Sequence, residues 1–304
     1  MRVGAARARS TSVATDASWG AAPPGPRGPL IDIPLDPNVH LGPITLAWHG
    51  IFTAVGIFFG VWLPVRLLRS EVGEDTLYSV ATIAVISGIV GARLVHVVDC
   101  WSACGYDRDP LLIPQIWSGG IAIWGAAIFG TLGGFVAAIR SGVPIGKGAD
   151  AGAPGMGLGF AIGRIGDVIN GEHHAIACDG GPGICVAYTH PDTLGQGPLL
   201  TGSRYSPGPV HLAVGYDLVW DALSVVVALW LRRRGLPDGT VFWIWALQYA
   251  VGRFVLGFFR VGDPTHVFGL RQDQVIALLV MAAALPMLAR LTSRARPATR
   301  ALAA

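Results

Sequence analysis

Seven apolar stretches, near residues 46–68, 77–98, 116–140, 154–171, 212–231, 240–259 and 274–292, are each long enough to cross a lipid hydrocarbon core. That core is about 30 Å thick. Backbone polar groups in lipid must be satisfied within the segment, so stretches of this kind fold as helices. Composition agrees: hydrophobic residues make up 52% of the 304 and charged residues 13%, against about 25% charged in soluble domains. The expectation is an all-α integral membrane protein with seven transmembrane helices, the fourth of them diluted by glycine.

Lysine and arginine between the spans set the orientation. One set of connections and the C-terminal end hold Arg66, Arg69, Arg140, Lys147, Arg232, Arg233, Arg234, Arg290, Arg294, Arg296 and Arg300; the other side holds Arg108, Arg204, Arg260 and Arg271. This asymmetry predicts an external N-terminus and a cytoplasmic C-terminus. Cys100, Cys104, Cys178 and Cys185 then all lie in external loops, where disulfides form. Three pairings are open, and neither spacing is the C-x2-C of a zinc ribbon.

The spans divide the chain into three parts. Residues 1–42, containing AAPPGPRGPL, read as a disordered Pro/Gly-rich extracytoplasmic tail. Residues 43–292 form the helical domain, with 173–211 as an irregular external cap, and 293–304 are a basic cytoplasmic tail. No apolar h-region precedes the first span, so no cleavable signal peptide is expected. Neither a repeat nor a phosphate-binding loop is evident, and nothing recommends nucleic acid as a partner.

With this topology, His49, Trp124, Asp217, Arg93, His96, Arg164, Asp167 and Arg253 all fall in the outer halves of their spans. A charge at membrane depth costs roughly 2.5–3.5 kcal/mol on insertion scales, so these residues mark a site. The fourth span, GMGLGFAIGRIGDVINGE, crowds Arg164, Asp167, Asn170 and Glu172 into its last turns. A planar guanidinium suits a phosphate bidentately, so Arg164 and Arg253 point to a phospholipid headgroup in the outer leaflet. Plainer readings stand beside this one. Arg164 and Asp167 are spaced for an i,i+3 ion pair. Gly155, Gly159 and Gly163, four apart, suit close helix packing, as do the glycines from Gly119 to Gly134. His49 and His96 are each compatible with anchoring at the membrane interface, and Asp99 or Glu172 with snorkelling.

GRIGDVINGE resembles GRxGNFxNGE, the signature of the prolipoprotein diacylglyceryl transferase family. The likeness continues through GIVGARL at 88–94, WSGGIAIWG at 117–125, YDLVWD at 216–221 and VGRFVLGFFRVGD at 251–263, and covers about residues 43–292. The resemblance implies seven spans with the N-terminus outside, in the plasma (inner) membrane of a bacterium. It implies transfer of the diacylglyceryl group from phosphatidylglycerol to the lipobox cysteine of a preprolipoprotein, whose signal peptide meets the membrane lipid in one cavity. No cofactor or metal is implied. Arg164 and Arg253 match the arginines that engage the phosphate, Asn170, Gly171 and Glu172 match the NGE, and Tyr216 and Asp217 occupy a Tyr-Glu position.

Four polar positions depart from the family pattern. Its FHGG, with a histidine implicated in activating the thiol, is Ile123, Trp124, Gly125 and Ala126 here; its tyrosine after the first-span tryptophan is His49; the Asn of GN is Asp167; and the Glu after GRF is Gly257. A carboxylate about 4 Å from a phosphate opposes it by about 4 kcal/mol at an effective dielectric near 20, unless Asp167 is protonated or held by Arg164 or Arg93. His49 and His96 are the candidates for a relocated catalytic base. Two other readings are a divergent phospholipid-binding paralogue without the transfer and an anion transporter. The transporter needs a polar route through the inner half of the spans, which are almost purely apolar.

Overall fold

A computed structural model of the protein describes residues 30–42, 44–116, 120, 122–171, 175–178, 183–193, 209–261 and 267–301. Among these residues lie seven long helices: α1 (Trp48–Val72), α2 (Glu74–Asp99), α3 (Ile123–Arg140), α4 (Ile145–Asn170), α5 (Ala213–Arg232), α6 (Thr240–Leu256) and α7 (Gln272–Ala301). Five of them, α1, α2, α5, α6 with its 3-10 extension, and α7, are long and apolar enough to cross a membrane. In α3 the apolar helix is the shorter Gly125–Arg140, and α4 carries Lys147, Asp150, Arg164 and Asp167 among its glycines. Phe58, Val219, Val226 and Leu279 point outward, each more than 60% exposed, forming an apolar outer surface suited to lipid contact.

Connections are short where the backbone is glycine-assisted. Gly73 alone joins α1 to α2 at φ 90, with its N–H bonded to the Arg69 carbonyl, so the two helices form an antiparallel hairpin. Gly171 ends α4 in the left-handed region, at φ 68 and ψ 28, with its N–H on the Asp167 carbonyl; such a cap favours glycine. The helix starts nine residues before the predicted span, at Ile145. Its first turns are held by Asp150, whose carboxylate accepts the Gly239 and Phe242 N–H groups, both at 2.8 Å, at the start of α6.

Helix packing runs chiefly α1 on α4, α2 on α3, α4 on α5 and α6, and α6 on α7. Glycine sets the closest approaches. A Cβ at Gly56 would lie 2.6 Å from the Gly159 carbonyl oxygen, and one at Gly155 would lie 2.5 Å from the Gly60 oxygen and 2.6 Å from Cδ of Pro64. The packing role read for Gly155 and Gly159 therefore holds. Gly163 differs, since a Cβ there meets nothing within 4 Å. In α3, Gly125, Gly130, Gly133 and Gly134 all face α2 backbone or small side chains. Ala153, Ala228, Val241, Trp245 and Ala246 form the apolar centre between α4, α5 and α6.

The chain is mostly helical rather than all-α. Strands β1 (Leu30–Ile33), β4 (Cys185–Tyr188) and β5 (Val210–His211) make a small sheet in the order β1-β4-β5, and β2 (Asn38–Leu41) pairs with β3 (Ile44–Ala47) in a hairpin leading into α1. The end of the predicted disordered tail is thus ordered, because β1 adds in parallel to β4, whose Cys185 and Val186 are buried. Residues 1–29 lie outside the described residues. The 173–211 loop is likewise not wholly irregular. Disulfides join Cys100 to Cys104 and Cys178 to Cys185, with Cα separations of 5.3 and 5.8 Å. The stretch read as a basic tail continues α7 as far as Ala301.

The α1–α4 contact makes a direct prediction. Gly56→Ala forces a methyl against the Gly159 carbonyl and costs about 1–3 kcal/mol, read as a lower thermal midpoint in detergent. Gly152→Ala, with nothing within 4 Å of the added carbon, stays within about 0.5 kcal/mol of the parent.

Candidate active site at one end of the bundle

His49 opens α1, Asp167 closes α4, Asp217 opens α5, Arg253 closes α6 and Asp273 opens α7, so alternation of helix direction gathers these side chains at one end of the bundle. Depth read from sequence already groups His49, Asp167, Asp217 and Arg253; Asp273 is added by the fold, while Arg93 and His96, expected at the same depth, make their contacts at the α2–α3 connection.

Asp167 is 3% exposed and uses both oxygens. Arg164 Nη1 donates to Oδ2 at 2.8 Å, and His49 Nδ1 lies 2.5 Å from Oδ1. The i,i+3 ion pair read from sequence is therefore present, with His49 added to it. Gly166 makes the contact with His49 possible, because a Cβ there would lie 2.8 Å from both the His49 Cα and the Trp48 carbonyl oxygen. Arg164 also approaches Asp221 of α5, Nε to Oδ2, at 3.9 Å.

The second half of the cluster is built around Asp217 and Asp273. Asp217 accepts Arg253 Nη1 at 3.4 Å and a close hydrogen bond from Arg260 Nη2. Arg253 Nη2 donates to Asp273 Oδ2 at 2.9 Å, and Arg271 Nε lies 3.8 Å from the other Asp273 oxygen. Arg271 Nη1 donates to the Arg260 carbonyl at 2.6 Å. Arg164, Arg253, Arg260 and Arg271 thus meet Asp167, Asp217, Asp221 and Asp273, and their formal charges cancel. Arg260 follows the end of the sixth span, and burial pushes it below its ordinary value, reinforced by Arg253 and Arg164 and opposed by Asp217. Phe160, Trp245 and Tyr249 lie in mutual ring contact, Trp245 and Tyr249 stacked at 5.6 Å. Through α4 and α6 they form an aromatic layer deeper in the bundle than Arg164 and Arg253.

The other expected site residues have different surroundings. Arg93 gives its guanidinium to three carbonyls, those of Ile113, Leu112 and Gly120, at 2.7, 2.6 and 2.7 Å, and lies over the Tyr106 ring. It fastens the α2–α3 connection. His96 belongs to the same connection, with Nε2 3.9 Å from Cys104 Sγ and its ring edge-on to Tyr106; among the described contacts it meets neither Arg164 nor Asp167. Tyr216 ties α5 to the small sheet, accepting the Ile184 N–H at 2.7 Å. Asn170 is buried in the last turn of α4. Glu172 and the Trp124 side chain lie outside the described residues.

Several network members carry little sequence signal. Arg260, Arg271 and Asp273 fall outside or at the edge of the spans, where charge is ordinary, and only the fold turns them inward. Asp221 was legible in principle, since it lies four residues after Asp217 and shares its helix face. Gln274 explains Gly257: a Cβ at Gly257 would lie 2.9 Å from the Gln274 Cγ. The Gln274 amide is buried, donating to the Phe254 carbonyl at 3.2 Å and accepting the Arg271 N–H at 3.1 Å. For metal ligation, His96, Cys100 and Cys104 form a close group, as do Asp36, His190 and Asp192, but in the first the disulfide occupies both sulfurs.

Removing the central counter-ion tests the network. Asp217→Ala leaves Arg253 and Arg260 facing each other with no carboxylate between them. The expected loss is about 3–5 kcal/mol, measured as a fall in thermal midpoint, and far exceeds that of replacing an exposed aspartate such as Asp75.

Comparison with known proteins adds a family to this geometry. A family model described as prolipoprotein diacylglyceryl transferase matches residues 38–290. The phosphatidylglycerol-prolipoprotein diacylglyceryl transferase 1 of Streptomyces coelicolor is 33% identical over 267 residues, 87% of this chain and 74% of the relative. Enzymes of the same name from Dehalococcoides mccartyi and Geobacillus kaustophilus are each 34% identical, over 85% and 81% of this chain and 94% and 89% of theirs. With a family model spanning five-sixths of its length and relatives aligned across about three-quarters or more of their own, the chain belongs to the prolipoprotein diacylglyceryl transferase family.

Proposed function

We propose that this protein transfers the diacylglyceryl group of phosphatidylglycerol to the cysteine thiol of a prolipoprotein. The observation that carries this reading is the family match over residues 38–290, and the buried arginine cluster at one end of the bundle is chemically suited to it. The protein resides in the plasma membrane of a bacterium and crosses it seven times, N-terminus outside, so the cluster faces the outer leaflet. There it meets both a lipid headgroup and the signal-peptide helix that presents the lipobox.

Arg164 and Arg253 hold the phosphate. Each is a guanidinium set in a largely water-excluded layer, where a fixed cation stabilises developing negative charge far better than in water. Asp217 and Asp273 keep Arg253 extended, and Asp167 does the same for Arg164. Asp167 and Asp217 therefore act on the arginines rather than as lipid ligands, while Asn170 and Glu172 are assigned to the lipid through their place in the family's NGE stretch. His49 takes the thiol proton. His96, engaged with Cys104 and Tyr106, serves the α2–α3 connection. A lipid-binding relative without transfer is the second reading, and one observation favours it: every arginine of the cluster already has a carboxylate partner. The transporter reading loses ground to the aromatic layer of Phe160, Trp245 and Tyr249.

The test uses membranes containing the protein, phosphatidylglycerol and a prolipoprotein substrate. Arg164→Gln and Arg253→Gln each lower lipid modification by about 100-fold or more while the protein remains inserted. Full activity in both variants overturns the phosphate assignment.

A further inference from the structure

We infer that Asp167 is a positioning residue for His49, and that this His-Asp pair, bridging the start of α1 and the end of α4, prepares the imidazole that deprotonates the substrate thiol. The inference rests on the transferase reading above and deepens it.

Three observations carry it. His49 Nδ1 lies 2.5 Å from Asp167 Oδ1, across 118 residues of chain, so the pairing is a product of the fold and not of local sequence. The carboxylate cannot rotate away, because Arg164 holds Oδ2 at 2.8 Å and the residue is 3% exposed. The approach is built into the backbone by Gly166, where any side chain would strike the His49 Cα. A buried, charged carboxylate facing Nδ1 keeps the proton there and leaves proton acceptance to Nε2. The His49 side chain is 43% exposed while its partner is 4% exposed, so the ring reaches the surface of the cluster with its orienting group buried behind it.

Asp167 of α4 faces this histidine directly, and Arg164 of the same helix acts through it. In the reaction the thiol proton moves to His49 Nε2. The thiolate sulfur bonds to the glyceryl carbon that carries the phosphate, and that C–O bond breaks. Its electron pair leaves on the phosphate oxygen of glycerol phosphate, beside Arg164 and Arg253. Asp167 stabilises the imidazolium until its proton passes to water. A thiol with an ordinary value near 8.5 is mostly protonated at neutral pH, so loss of the pair acts on turnover more than on lipid binding.

The experiment uses the full-length protein in phosphatidylglycerol vesicles with a lipobox peptide. Asp167→Asn lowers kcat by on the order of 10²–10⁴-fold with KM for the lipid little changed, and Asp167→Glu recovers part of the loss. In a His49→Ala background, Asp167→Asn has little further effect. Unchanged kcat with a lower KM in Asp167→Asn overturns the inference, since the carboxylate then only opposes the lipid phosphate; so does full activity in His49→Ala. A second readout does not depend on transfer. In 15N-histidine NMR of the protein in nanodiscs, with His49→Ala assigning the signal, His49 carries its proton on Nδ1 and Asp167→Asn removes that preference. Protonation on Nε2 alone in the parent overturns the inference. An unmodified peptide together with the expected NMR signature contradicts the transferase reading and leaves the pairing standing.

Discussion

A carboxylate buried among membrane helices must be matched on every side, and Asp167 meets that demand by sharing its two oxygens between Arg164 of its own helix and His49 of α1. Much of the molecule serves this contact. Gly166 admits the start of α1, Gly56 and Gly60 bring its backbone against Gly159 and Gly155 about two and three turns deeper, and Gly171 ends α4 one turn after the carboxylate. The glycines that dilute the hydropathy of the fourth span are thus the reason that two helices approach closely enough to bury an ion pair. The cost of burying charge is offset by extending the pairing through Asp221, Asp217 and Asp273 to Arg253, Arg260 and Arg271, because such networks are tolerable only when each member is partnered.

Seen singly in the sequence, His49 and Asp167 are two unrelated departures from the family pattern, and Asp167 is an obstacle to binding an anion. In the structure they are one contact. The carboxylate is partnered by Arg164 and faces an imidazole, so its opposition to a lipid phosphate is largely screened. Gly257 and Gln274 tell a similar story: the space where a longer side chain would stand is filled by the Gln274 stem. Substitutions at contacting positions are best judged as pairs, because the energy belongs to the contact.

The long helices were legible because the apolar stretches mark them, although only five of the seven are long and apolar enough to cross a membrane; the end of the bundle that carries the charges follows from the alternation of helix direction. Packing by Gly155 and Gly159 was legible from their spacing of four. The small sheets were not, since β1 gains its stability from a partner strand more than 150 residues away. Disulfide pairing was left open among three choices, and the fold selects the two local ones. Arg260, Arg271 and Asp273 escaped notice because charge near a span boundary is unremarkable until the fold turns it inward. His96 shares its expected depth with Arg164, and α2 carries it to the α2–α3 connection, beside Tyr106 and the disulfide.

The central claim is that the paired arginines, aspartates and His49 still support transfer where the family's usual histidine position holds Trp124. Mass spectrometry of a lipobox peptide incubated with phosphatidylglycerol and the purified protein tests this most directly. The account predicts a diacylglyceryl mass gain on the cysteine, with glycerol phosphate released in equal amount. A peptide that stays unmodified beside folded, lipid-loaded protein contradicts it.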